Sequence, residues 1–312
     1  MAKARTRPRS VRTGPRRRAQ PAPRWGRRNR WWIAAAAIGL VALVALVASG
    51  GNRDGDSTGA SPRGFVGGDL HSLVADPTSP GRLFVGGHQA VSQSRDGGRT
   101  WHRVPPLDDA DAMGWAFTAD AVWVSGHPGL SRSTDGGRTF TRANQDLPDA
   151  DVHAFGAGRS VLYGASPAAG VFASTDGGRS WTTRTERAGQ SFFGRILVDP
   201  AGDEHLVAAD ARSGPVESTD GGRSWRPLGG LGAATWVSWA GPGSSLLLAS
   251  GPAGAATSGD GGRSWRPLEL PEGATLVEAS ATDPNLLYAA GLKGDSAEVW
   301  VSHDGGGRWA KP

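Results

Sequence analysis

STDGGRSW, Ser174 to Trp181, occurs again unchanged at Ser218 to Trp225. Four variants of it lie elsewhere: SRDGGRTW (Ser94 to Trp101), STDGGRTF (Ser133 to Phe140), SGDGGRSW (Ser258 to Trp265) and SHDGGGRW (Ser302 to Trp309). The aspartates are Asp96, Asp135, Asp176, Asp220, Asp260 and Asp304, so the phrase returns every 39 to 44 residues. One turn signature per repeat at such a period marks a repeat architecture. Asp-Gly-Gly supplies residues that tolerate positive φ, as a tight connection between strands demands. The carboxylate can accept bonds from nearby backbone N–H groups, and the Ser and Thr hydroxyls can do likewise. The closing Trp or Phe is large enough to pack between neighbouring units.

The phrase S-x-D-x-G-x-T/S-W resembles the Asp-box, or bacterial neuraminidase repeat. That repeat is found in sialidases, other glycoside hydrolases, sortilin-type receptors and photosystem assembly factors. The resemblance covers Gly64 to Pro312 and implies an all-β fold, a β-propeller. It says little about activity, because the box is a structural turn whose hosts do different work.

Each unit reads as a four-stranded antiparallel meander. In the first, Leu70 to Ala75 is the inner strand, followed by Arg82 to Val85, Ala90 to Ser94 and Thr100 to Val104. Later inner strands are expected at Gly114 to Phe117, Val152 to Phe155, Arg195 to Val198, Thr235 to Trp239 and Thr275 to Ala279. Second strands are expected at Ala121 to Val124, Val161 to Gly164, His205 to Ala209, Ser245 to Ala249 and Asn285 to Ala290. Apolar residues before each box place it between the third and fourth strands. Asp76-Pro77, Asp199-Pro200 and Asp283-Pro284 turn between strands one and two. Residues 64–312 have room for six such units, and radial repetition protects their edges. Phe65-Val66 is expected to pair with the last blade and help close the ring.

The 312 residues include 48 glycines and no cysteine, which excludes disulfides, thiolate metal sites and a cysteine nucleophile. The net charge of +5 conceals a division. Residues 1–30 carry twelve Lys or Arg and no acid, leaving −7 for the rest. A basic nucleic-acid surface on the folded part is therefore not expected. Residues 1–30 read as a disordered cytoplasmic tail. Residues 31–48, WWIAAAAIGLVALVALVA, hold no charge and reach about 27 Å as a helix, close to a hydrocarbon core of about 30 Å. Trp31 and Trp32 sit where an inner aromatic belt belongs. The reading is a single transmembrane helix with residues 64–312 exported to the extracytoplasmic side of the cell membrane. The alternative is a cleaved signal peptide ending near Val47-Ala48-Ser49 and a secreted domain. Residues 49–63 read as a flexible linker.

In such a meander the boxes share one face. The start of strand one and the loop between strands two and three lie on the other. That second face collects Asp69-Leu-His71, Asp111-Ala-Met113 and Asp151-Val-His153, with Gly87-His88 and Gly126-His127. Five candidate metal ligands, His71, His88, Met113, His127 and His153, thus come from three successive units. With no cysteine they suit copper, Cu(I) above all, with the aspartates orienting the imidazoles. The competing reading is that repeated units keep similar residues for packing and turns. Arg195 and Glu278, on inner strands, are expected to be further candidates on that same face with Asp69, Asp111 and Asp151. No organic cofactor is expected.

Three functions are compatible with these residues. The favoured one is a membrane-anchored platform that binds a protein or glycan partner, with or without the metal. The second, implied by the sialidase resemblance, is glycoside hydrolysis. It requires two carboxylates roughly 5–10 Å apart. The sialidase set of an arginine cluster, a Tyr–Glu pair and an acidic Asp has no counterpart here: Tyr163 and Tyr288, the only tyrosines, fall on second strands. The third is a metal site at the mouth of the channel, formed by the His and Met residues of the rim.

Overall fold

The structure, a computed structural model, describes residues 59–240 and 245–312. The basic tail, the apolar stretch 31–48 and most of the linker lie outside the described residues. Among the described residues no helix is long and apolar enough to cross a membrane. The only helical piece among them is a 3-10 turn at Pro105–Leu107.

Twenty-four strands are numbered here in chain order. After β1 (Gly64–Phe65) come β2 (Ser72–Ala75), β3 (Leu83–Gly86), β4 (Val91–Ser94) and β5 (His102–Arg103), which form one antiparallel sheet in that order. The next sheet is β6 (Gly114–Phe117), β7 (Val122–Gly126), β8 (Gly129–Ser133) and β9 (Thr141–Arg142). Then follow β10 (Ala154–Ala157), β11 (Leu162–Ser166), β12 (Gly170–Ser174) and β13 (Thr182–Thr185), and β14 (Phe192–Val198), β15 (Leu206–Asp210), β16 (Gly214–Ser218) and β17 (Arg226–Pro227). These eight strands join into one sheet because β10 and β14 pair in parallel, Ala154 with Gly194 and Phe155 with Arg195. A further sheet is β18 (Trp236–Trp239), β19 (Leu247–Gly251), β20 (Gly254–Ser258) and β21 (Arg266–Pro267). The last has the order β1–β24–β23–β22, from β22 (Leu276–Ala279), β23 (Leu287–Lys293) and β24 (Ser296–Ser302).

The first and last segments of the described chain thus share a sheet, with Gly64 opposite Ala297 and Phe65 opposite Ser296. Ala310 also bridges Val301 of β24. Ser61 pairs with Trp101, so ordered contacts begin within the stretch read as linker.

Second and third strands such as β11, β12 and β15 are buried along nearly their whole length. Apolar side chains therefore pack on both faces, and the core lies between successive sheets. One cluster joins Trp123 and Leu130 to Phe155, Leu162 and Phe172. The next joins Tyr163 and Val171 to Phe192, Ile196 and Leu206. At about 25 cal/mol per Å² of apolar surface removed from water, such faces supply most of the driving force for folding.

The box is the same device at each corner. Ser94 Oγ donates to Asp96 Oδ1 (2.8 Å) and accepts from Gly98 N (2.8 Å). Asp96 Oδ1 accepts from Thr100 N (2.9 Å), and Oδ2 from Thr100 Oγ1 (2.6 Å). Gly97 and Gly98 stand at φ 75° and 100°, where a β-carbon is disfavoured. In three boxes the Trp Nε1 closes back on the turn, from Trp101 to Gly98 O, Trp225 to Gly222 O and Trp265 to Gly262 O, whereas Phe140 has no such donor and Trp181 Nε1 has no partner among the described residues. The sixth box departs from this. Arg308 stands in the Thr/Ser position, so its backbone N still reaches Asp304 Oδ1 (2.8 Å) but no hydroxyl meets Oδ2.

Candidate functional site

Antiparallel order puts the start of each inner strand, and the loop from second to third strand, at the end of the sheet away from the boxes. Two His–Asp groups form there, each where one sheet meets the next. At the first, His71 precedes β2, His88 follows β3 and Asp111 precedes β6. His71 Nε2 lies 3.0 Å, and His88 Nδ1 3.5 Å, from Asp111 Oδ1. One ligand atom from each of the three lies within 4.8 Å of the others.

Local chemistry explains the approach. A β-carbon on Gly87 would stand 2.0 Å from Asp69 O, and one on Gly126 1.8 Å from Asp111 O. Only glycine before each loop histidine lets the strand-one segment come this close. Asp111 adopts φ 43°, a left-handed conformation that Asp tolerates better than most residues. Its segment is tied down by Ala112 N to Gly87 O (3.1 Å) and Ser72 Oγ to Ala112 O (2.9 Å). The buried Trp115 Nε1 donates to the same Ser72 hydroxyl (3.0 Å). Burial raises the pKa of the Asp111 carboxyl, but His71 and His88 outweigh it and hold it below its ordinary value.

At the second junction His153 Nε2 lies 2.9 Å from Asp151 Oδ1, with His127 Nδ1 at 3.9 Å. His153 is buried, packs 5.0 Å from Phe193, and leaves its Nδ1 without a hydrogen bond. Met113 occupies in this unit the position of His71 in the first, and is buried. The histidines expected to share one point thus stand in two groups, each on its own aspartate. Asp69 is exposed, as are His102 and His303.

Arg195 and Glu278 are not on the rim. They line a cavity of about 260 Å³ walled by inner-strand residues, among them Trp115, Gly156, Trp239 and Ala279. Pro77, Pro200 and Ala281, in or beside the strand one-to-two turns, also line it, so it reaches towards the box face. Arg195 Nη1 donates to Glu278 Oε1 (2.7 Å). Glu278 also accepts from Trp236 Nε1 (3.0 Å) and Ala75 N (3.4 Å). Its burial raises the carboxyl pKa in spite of the guanidinium and these donors. Among the described residues, Glu278 is the only carboxylate in the cavity lining. Tyr163 and Tyr288 are buried in the core, as their strand positions imply.

Two polar sites escaped the sequence reading. His205 sits between Asp199 Oδ2 (3.0 Å, Nδ1) and Glu217 Oε1 (2.8 Å, Nε2), and Arg226 pairs with Glu217. Asp203, between β14 and β15, reaches the turn between β10 and β11, accepting from Arg159 N (2.8 Å), Ser160 N (2.9 Å) and Ser160 Oγ (2.6 Å). The signal for the first was His205 six residues after an Asp-Pro turn. The second joins residues about one repeat apart, which no local pattern displays.

Fold and turn chemistry together define a β-propeller built on neuraminidase-type repeats. Residues 74–192 match the model of a family described as photosynthesis system II assembly factor YCF48. No curated protein matches the chain. Among solved structures, the GH74 xyloglucanase from Xanthomonas campestris is 18% identical with a TM-score of 0.54, over 80% of this chain and 46% of that one. The chain therefore spans less than half of that enzyme. YCF48 from Cyanidioschyzon merolae is 18% identical with a TM-score of 0.52, over 78% of this chain and 85% of its own. A chain of a nidogen/laminin complex is 16% identical with a TM-score of 0.52, over 70% and 88%. At these identities the likeness is one of fold.

Proposed function

We propose that the chain is a six-bladed propeller, held outside the cytoplasm by an anchor at residues 31–48, that serves as a binding platform for a protein partner. The observation that carries this reading is the state of the central cavity. Among the described residues its one carboxylate is Glu278, buried and engaged by Arg195, and they offer no second acid there for glycoside hydrolysis. A rigid ring with polar rims suits docking. The match of residues 74–192 to a family described as an assembly factor supports the same reading. The basic residues 1–30 ahead of an uncharged stretch support export of the domain.

The test uses the full-length chain in its native membrane and in purified form. Cross-linking in the membrane is expected to join the propeller to another exported or membrane protein at recurring positions. A panel of xyloglucan oligosaccharides, sialosides and common chromogenic glycosides is expected to show no turnover. Hydrolysis of any of them that Glu278→Gln abolishes would overturn the reading, as would cross-links only to other copies of the chain.

A further inference from the structure

We propose that His71, His88 and Asp111 form a site for a borderline divalent metal ion of the zinc class, on the rim opposite the boxes. The proposal is independent of the platform reading, since it concerns one junction and no partner. Two imidazole nitrogens and a carboxylate oxygen already gather within 4.8 Å, a span that one ion with ligand bonds of about 2 Å can bridge.

The decisive detail is Asp111. The residue is 9% exposed, yet its Oδ1 has no hydrogen bond of acceptable geometry. His71 Nε2 is only 3.0 Å away and His88 Nδ1 3.5 Å, so both imidazoles converge on this one oxygen. Buried carboxylate oxygens are rarely left in this condition. Three ligand atoms within 4.8 Å of one another suit a cation between them. One carboxylate with two neutral imidazoles leaves a single positive charge on a bound dication.

The ligands are also placed before any ion arrives. His71 N is held by Gly86 O (2.9 Å), Gln89 N by Val66 O (3.2 Å) and Ala112 N by Gly87 O (3.1 Å). The His88 side chain is 63% exposed, which leaves an open side for water or an external ligand. Three protein ligands with one free position is the pattern of reactive rather than purely structural zinc sites. With a carboxylate present, the chemistry shifts from Cu(I) towards Zn²⁺, with Cu²⁺ and Ni²⁺ as tighter-binding competitors in the general affinity order. The second junction is less complete, with His127 3.9 Å from Asp151 and Met113 in place of the first histidine.

The full-length chain, free of any histidine tag and stripped with a chelator, is titrated separately with Zn²⁺ and with Co²⁺ as a spectroscopic probe. One equivalent per chain is expected to bind, with visible Co²⁺ bands of nitrogen–oxygen ligation that Zn²⁺ displaces. His88→Ala is the safest variant because that side chain is exposed, and Asp111→Asn keeps the shape of the buried ligand. Each is expected to weaken binding more than about ten-fold, since disturbing even an outer-shell partner costs that much. His303→Ala, on the box side, is expected to bind as the parent does. Absence of saturable binding would overturn the proposal and leave a His–Asp cluster without metal. So would binding that survives both His88→Ala and Asp111→Asn, or binding of Cu²⁺ alone that ignores these substitutions.

Discussion

Ser94 shows how much a single side chain contributes to one corner. Its buried hydroxyl donates to Asp96 and accepts from Gly98 N, so removing it strands a buried N–H. Ser94→Ala is expected to cost about 1–3 kcal/mol, read as a lower denaturant midpoint with an unchanged slope. The sixth box makes the converse case. Arg308→Thr is expected to supply the missing hydroxyl bond to Asp304 Oδ2 and to raise the thermal unfolding midpoint slightly, since the carboxylate is solvent-exposed. Acid acts on the same bonds. Burial raises the Asp96 carboxyl, but Thr100, Ser94 and backbone N–H groups outweigh it and bring it from 3.8 to about 2. The contribution of this box is therefore complete above pH 3.8 and declines as pH falls towards 2. These corners were legible in the sequence because every atom they use lies within eight residues. Asp203 was not, because its partners Arg159 and Ser160 lie 44 and 43 residues away in the chain, in the turn between β10 and β11.

Among the elements, strand identity was more legible than strand extent. The inner strand expected at Gly114 to Phe117 is β6 residue for residue. Second strands end later than expected: β7 runs to Gly126 and β11 to Ser166. Their last residues are Ser, Gly and Ala, which continue the ladder without adding to an apolar pattern. β14 begins early, at Phe192, and its register shifts between Phe193 and Ile196. There Gly194 and Arg195 turn to pair with β10 instead. At the rim the sequence disclosed which residues share a face, but not that they divide between Asp111 and Asp151. That division depends on how closely Gly87 and Gly126 let neighbouring segments approach. Gly126→Ala would push a methyl group into Asp111 O and is expected to destabilise the fold by about 1–3 kcal/mol, measured by chemical denaturation. His205 gives a pH signature of its own. Burial lowers its pKa, but Asp199 and Glu217 outweigh that and hold it above the ordinary 6.5. Its contribution is fully present below pH 6.5 and is lost as pH rises through the elevated value. Denaturation at a series of pH values should show that decline in the parent and its absence in His205→Gln.

For the whole molecule, the two ends of the propeller matter most. The repeat period announced a ring, and the charge division set a tail of twelve cations apart from a remainder of −7. The closing contact was legible only as an expectation for Phe65-Val66, because two residues carry no periodic pattern. In the structure β1 is the outermost strand of the sheet formed by β22, β23 and β24. Residues from both ends of the described chain also share one apolar cluster, Val66 and Leu73 with Leu276, Ala297 and Val299. Joining the ends covers the edge of β24, which would otherwise be free to recruit other chains. The native chain has no cysteine, so a pair introduced across this contact reports on it alone. With Phe65→Cys and Ser296→Cys in the full-length chain, rapid disulfide formation under mild oxidation is expected, because the two positions face each other across β1 and β24. Stability should also rise, approaching the ~4–5 kcal/mol expected for so long a loop. An out-of-register pair, Phe65→Cys with Glu298→Cys, should cross-link poorly. If the in-register pair stays reduced, or forms only disulfides between chains, the ring is not closed in this way and the account of the propeller is contradicted.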